Sequence, residues 1–306
     1  MRTRIPSAAL VAAGALVLSG APAVAAVLVI AAGWPVAPAD ASASGPAVVL
    51  QVSRPSLRQG EAIRLTIETA APASRPAVRF AGRSWAAYPA GGTMWRTILG
   101  TDPMTAAGRH TIAVAVVTAA GARVTVARQV TVTRVDFPRR RITFDPEQAA
   151  LLTRENVEIE RRKVREALRV LHPQPLWQDP LLLPVRGPVS SGYGVLSIYQ
   201  AQVRGFHGGV DFAAEAGTPV RAAADGIVRL AELLPLSGNA VLIDHGLGVI
   251  TSYLHLSQIG VRPGQRIAKG EVIGRVGSTG LATGPHLHWG LRVNGVRVDP
   301  LPWTVQ

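Results

Sequence analysis

Gly284-Pro285-His286-Leu287-His288 decides how the last third of this chain is read. Side chains alternate along a strand, so two histidines one residue apart project to the same face. Such a pair can place two imidazoles in one small site. More residues of the same chemistry lie upstream. His207 and Asp211 sit in His207-Gly208-Gly209-Val210-Asp211, and His255 sits in Tyr253-Leu254-His255-Leu256. The chain has 7 histidines, and four of them fall in these segments.

Zinc takes imidazole nitrogen and carboxylate oxygen well, and a catalytic site uses three protein ligands with one position left for water. The chain has no cysteine, which excludes disulfides, thiolate ligands and a cysteine nucleophile. His207 and Asp211 are four apart, so both can point to one side of a strand or a helical turn. With His288 from a distant strand they make a candidate metal set. His255 and His286 remain for proton work. A neutral imidazole can take a proton from water activated by the metal, and an imidazolium can hold an oxyanion or donate to a leaving amine. Val249, Thr251, Tyr253 and His255 share a face if their strand is regular, so His255 reaches the site if that face lines it. Tyr253 is then either an oxyanion donor or a packing residue. No His-Glu-x-x-His helix is present. His245, in Asp244-His245-Gly246, reads as a hairpin-turn residue outside the ligand set. His110 reads as an edge residue, and His172 as a helix-end residue.

The chain is expected to be mainly β. Residues 181–306 alternate short apolar runs with Gly and Pro turns, which predicts a compact, mostly antiparallel β domain. Residues 136–180 read as a charged helical linker. In it, Val157, Val164, Leu168 and Leu171 recur at helical spacing after Asp145-Pro146, in one helical segment ending at His172-Pro173. We expect a solvated connector packed on a neighbouring domain. Residues 47–135 carry alternating and β-branched runs between turn signals, which predicts an immunoglobulin-like β-sandwich. Residues 1–43 combine Met1-Arg2-Thr3-Arg4, a long apolar run and Ala41-Ser42-Ala43. They read as a signal peptide or an N-terminal membrane anchor, so the remainder is expected outside the cytoplasm, in the periplasm or beyond. The net charge is +13, from 32 Lys and Arg against 19 Asp and Glu. Such an excess suits nucleic acid, acidic membranes or anionic wall polymers, and does not choose among them.

These segments resemble the lysostaphin/LytM-type zinc metallopeptidases, peptidase family M23. The resemblance is carried by His207-Gly208-Gly209-Val210-Asp211-Phe212, Gly217-Thr218-Pro219-Val220, Asp225-Gly226 and Asp244-His245-Gly246. It continues through Tyr253-Leu254-His255-Leu256, Gly277-Ser278-Thr279-Gly280 and Thr283-Gly284-Pro285-His286-Leu287-His288. It covers about the last third of the chain. It implies an antiparallel β domain with a narrow groove, and one Zn2+ held by His207, Asp211 and His288, with His255 and His286 catalytic. It also implies hydrolysis of peptide bonds in peptidoglycan stems or cross-bridges. Gly208 departs from the family pattern, which often has a second histidine there. Peptidoglycan is the expected partner, nucleic acid is not, and a monomer is expected. A competing reading is a non-catalytic protein of the same fold that binds the wall and activates an amidase. Such relatives have lost zinc ligands, whereas here the full set is present. A segment from Val261 to Gly274 also resembles part of a biotinyl/lipoyl carrier, but Asp225-Gly226 at the comparable turn offers no lysine for attachment.

Overall fold

The structure is a computed structural model that describes residues 47–141, 146–178, 180–199 and 202–304. The signal or anchor segment expected over residues 1–43 lies outside the described residues. Among the described residues, no helix is long and apolar enough to cross a membrane.

The chain is mainly β. Its N-terminal part builds two sheets. One has four strands in the order Val48–Val52, Ala62–Thr69, Met94–Gly100, Tyr88–Pro89. The other has five, in the order Ser56–Arg58, Arg123–Thr133, Gly108–Val117, Ala77–Phe80, Arg83–Trp85. Alternation in the sequence becomes alternation in burial. Along Ala62–Thr69, Ile63, Leu65 and Ile67 point inward and Arg64 and Glu68 outward. They pack with Phe80, Ile112 and Val114 of the second sheet in one core. The pairs are antiparallel except Ser56–Arg58 against Arg123–Thr133, which is parallel.

The linker is more structured than one continuous helix. It forms helices Pro146–Leu151 and Arg154–Ala167. Thr153 ends the first and caps the second, because its Oγ1 accepts the Asn156 N–H at 3.0 Å. The second helix buries Val157, Glu160 and Val164. Upstream, Arg139–Arg141 pairs in parallel with Leu196–Tyr199, so this segment is stitched into the C-terminal part by backbone hydrogen bonds.

The C-terminal part centres on an eight-stranded sheet. Its path runs Val189–Ser191, Val210–Ala213, His286–Val293, Val249–Leu256, Gly238–Asp244, Gly226–Leu234, Arg266–Ile267, with Val296–Val298 also paired to His286–Val293. A small sheet of Pro219–Arg221, Val272–Arg275 and Gln258–Ile259 lies beside it. On the histidine strand, Leu287, Trp289, Leu291 and Val293 are buried in the core. His286, His288, Gly290 and Arg292 take the opposite face. Placing Val210–Ala213 beside this strand sets Asp211 directly opposite His288.

The two β parts share one apolar core, which runs from the N-terminal sheets through Val293, Val296 and Val298. The hairpin that follows the histidine strand turns at Asn294-Gly295, with φ of 46° and 85°. These are the left-handed values that a tight hairpin turn of this class requires. Asn294 Nδ2 donates to Ile98 O at 2.9 Å, and the Tyr88 hydroxyl donates to Asn294 Oδ1 at 3.0 Å. The N-terminal sheet thus anchors the far end of the strand that carries the histidines.

Candidate metal centre and its groove

His207, Asp211 and His288 converge so that their ligand atoms all lie within 4.8 Å of one another. His207 Nε2 is 2.9 Å from Asp211 Oδ1 and 3.0 Å from His288 Nδ1, and His288 Nδ1 is 2.8 Å from Asp211 Oδ1. His207 Nδ1 donates to Gly192 O at 2.7 Å. That bond fixes the tautomer: in the neutral ring, Nε2 carries a bare lone pair aimed at a carboxylate oxygen. Two acceptors at this distance need a cation between them, either a proton or a metal ion. Zinc at its usual bond lengths keeps tetrahedral ligand atoms about 3.3 Å apart, so the group needs to open by only tenths of an ångström. Burial alone would raise the Asp211 carboxyl, but the His207 and His288 imidazoles beside it hold it well below the usual carboxylate range. Burial pushes the His288 imidazole down, towards the neutral form that binds a metal.

His255 and His286 stand next to this group. Their ring centroids are 4.9 Å apart, and His255 is 6.3 Å from His288. His286 Nδ1 donates to Gly284 O at 2.8 Å, and His255 Nδ1 donates to Thr279 O at 2.9 Å. Each bond leaves the ring's Nε2 as the basic nitrogen. Burial first, then the neighbouring imidazoles, push His255 down to about 3. At neutral pH it is therefore an acceptor. All five side chains line one groove of about 550 Å³.

His255 does not arrive by the route that alternation suggests. Thr251 and Tyr253 face the core, not the groove, and both are 0 % exposed. The Tyr253 hydroxyl accepts the Ala223 N–H at 2.8 Å and the Thr251 hydroxyl at 3.0 Å. It is a packing residue and offers no donor to the groove. Ser252 and Leu254 take the groove side, with Leu254 opposite His288. His255 joins them because the strand breaks there. Its φ is 62°, a left-handed value uncommon for a residue with a side chain. The register slips at the same place, with Val241 opposite Tyr253 but Asn239 opposite Leu256. This is a β-bulge, which re-aims one side chain.

The bulge is held from three sides. Ser237 O accepts the His255 N–H at 2.9 Å. Thr279 takes Nδ1 through its carbonyl, and its hydroxyl donates to Leu256 O at 2.8 Å. Glu160, on the linker helix and 1 % exposed, accepts the Leu236 N–H at 2.9 Å, the Ser237 N–H at 3.1 Å and the Ser237 hydroxyl at 2.6 Å. The sequence reading passed over Glu160, Ser237 and the Gly192 carbonyl. Glu160 did carry a signal, since it falls at helical spacing between Val157 and Val164, on the apolar stripe.

The other histidines lie elsewhere. His245 is fully buried, with Nδ1 on Asp225 O at 2.7 Å and Nε2 on the Thr251 hydroxyl at 2.7 Å. His110 lies against Ala106 O at 2.7 Å, and His172 Nδ1 donates to Gln174 O at 2.7 Å.

The sequence model described as Peptidase family M23 matches residues 205–300, the span that carries all five groove residues. The C-terminal domain belongs to peptidase family M23. A crystal structure of an M23 peptidase from Pseudomonas aeruginosa is 29 % identical, covers 82 % of this chain and 95 % of its own, and superposes with a TM-score of 0.57. That likeness extends well beyond the M23 span into the N-terminal sheets. The DD-carboxypeptidase/endopeptidase Mpg of Neisseria gonorrhoeae is 52 % identical over 95 residues, which is 31 % of this chain and 22 % of that protein. The peptidoglycan DD-endopeptidase ShyA of Vibrio cholerae is 47 % identical over 95 residues, again 31 % of this chain and 22 % of that protein. The chain thus matches about a fifth of the length of these curated relatives.

Proposed function

We propose that this protein is an exported zinc metalloendopeptidase that hydrolyses peptide bonds of peptidoglycan in the cell envelope. The observation that carries this reading is the convergence of two imidazoles and a carboxylate on one point, with two further imidazoles facing the same groove. His207, Asp211 and His288 are the residues that would hold zinc. Zinc bound there would supply a Lewis acid and bring water near its ionisation range. His207 is oriented by the Gly192 carbonyl, which keeps Nε2 free as a ligand. His255, neutral and with Nδ1 committed to Thr279 O, takes a proton at Nε2 as general base. His255 then returns that proton to the leaving amine, and His286, less buried than His255, steadies the developing oxyanion when its Nε2 carries a proton. The relative ShyA is a peptidoglycan DD-endopeptidase and Mpg a DD-carboxypeptidase/endopeptidase, and export suits the basic and apolar N-terminal sequence. The non-catalytic alternative loses support because all five groups are in place.

The full-length protein is expected to release soluble peptide-bearing fragments and new amino groups from purified sacculi. Chelation should stop the release, and zinc should restore it. Mass spectrometry of the fragments identifies the bond. Sacculi digested equally well after chelation would refute the metal mechanism, and intact sacculi with zinc present would refute the peptidase reading.

A further inference from the structure

The groove has a second chemistry beside the histidines. Arg292 lies four residues along the strand from His288, on the same face. Arg297 lies opposite Arg292 across the Asn294-Gly295 hairpin. Both side chains line the groove and both residues are largely buried. Among the described residues, neither guanidinium has a carboxylate within ion-pair distance. The nearest candidates are committed: Glu160 accepts three donors from the 236–237 turn, and Asp211 is bound by two histidines. Two adjacent guanidiniums with no carboxylate in direct contact repel one another, and such a pair is suited to receive an anion. Burial pulls the Arg292 guanidinium down to about 10, with the Glu160 charge opposing the shift.

The departure at Gly208 gains a physical reason here. A β-carbon at 208 would overlap Cδ of Arg297, whose side chain lies across this glycine. The missing side chain is what lets Arg297 reach back towards His207. The guanidinium forks suit a carboxylate, which they can hold in bidentate fashion.

We propose that Arg292 and Arg297 form a subsite for a free carboxylate of the substrate peptide. The proposal rests on the peptidase reading and adds a specificity to it. Four strand residues span about 13 Å, and Arg297 leans back over Gly208. The carboxylate therefore lies within roughly three residues of the bond being cut.

The test uses the full-length chain and a cross-linked stem-peptide dimer, supplied with its carboxylates free and with the same groups amidated. Zinc-loaded wild type should cleave the free form with kcat/KM at least tenfold above the amidated form, mainly through KM. Chelator-treated wild type, which cannot turn the dimer over, should bind the free form tenfold more tightly by calorimetry. Arg292→Gln and Arg297→Gln should lose the preference while keeping zinc and the circular dichroism spectrum, and Arg297→Lys should keep part of it. Equal binding and equal cleavage of the two forms by wild type would overturn the subsite and leave the peptidase reading standing. The same holds if both glutamine variants retain the wild-type preference. Preferential binding without any cleavage would keep the subsite and sink the peptidase reading.

Discussion

His255 shows how one residue's backbone can decide a site. On a regular strand it would follow Thr251 and Tyr253 into the core. A left-handed φ of 62° turns it to the groove instead. A non-glycine residue in that conformation costs of order 1–3 kcal/mol, and such strain collects at functional sites. Hydrogen bonds that His255 donates to the Ser237 and Thr279 carbonyls hold it there. His245 makes the contrast. It is just as buried, but its partners are a carbonyl and a hydroxyl inside the core, and burial pushes it down to about 4. An unfolded chain binds that proton near pH 6.5. Stability from this group is therefore complete above pH 6.5 and is lost as pH falls from 6.5 to 4. The loss is on the order of 3 kcal/mol. Urea unfolding at pH 7 and pH 4.5 should show a smaller drop for His245→Gln than for wild type, and identical drops would contradict this. That His286 and His288 share a face was legible because His-x-His holds its geometry on a regular strand, whereas His207 lies in the connection before Val210–Ala213 and reaches Asp211 and His288 through the fold. The route of His255 was not, because alternation describes regular backbone and a bulge is set by tertiary partners.

At the scale of elements, the strands and their inward faces were readable from period-two patterning, as along Ala62–Thr69. The linker helix was readable from its apolar spacing, but its role was not. A glutamate among Glu155, Glu158 and Glu166 looks like a solvated charge until the hairpin at 236–237 is seen to dock on it. Glu160 thereby joins a segment outside the M23 span to the bulge that carries His255. Glu160→Ala strands two backbone N–H groups and a hydroxyl, at a cost of roughly 2–4 kcal/mol. We expect lower kcat with little change in KM or zinc content, and partial recovery in Glu160→Gln, whose oxygen still accepts. Steady-state kinetics with metal analysis checks this, and wild-type kcat in the alanine variant would contradict it.

For the whole molecule, the parts outside the M23 span complete the site. The N-terminal sheets share a core with the histidine strand and grip the hairpin at its end through Tyr88, Ile98 and Asn294. The strand Arg139–Arg141 brings Arg140 and Arg141 to the groove, adding positive charge to a chain already at +13. The two-part β organisation was foreshadowed by composition and turn spacing. The shared core was not, because contacts between surfaces distant in sequence leave no local pattern. The central claim is that one metal sits on His207, Asp211 and His288 while His255 acts on the substrate without binding it. Metal content and turnover measured together on full-length wild type, His288→Ala and His255→Ala test this most directly. The account predicts about one zinc in wild type, loss of metal in His288→Ala, and retained metal with at least about a 100-fold loss of turnover in His255→Ala. Wild-type turnover in His255→Ala, or full zinc in His288→Ala, would contradict it.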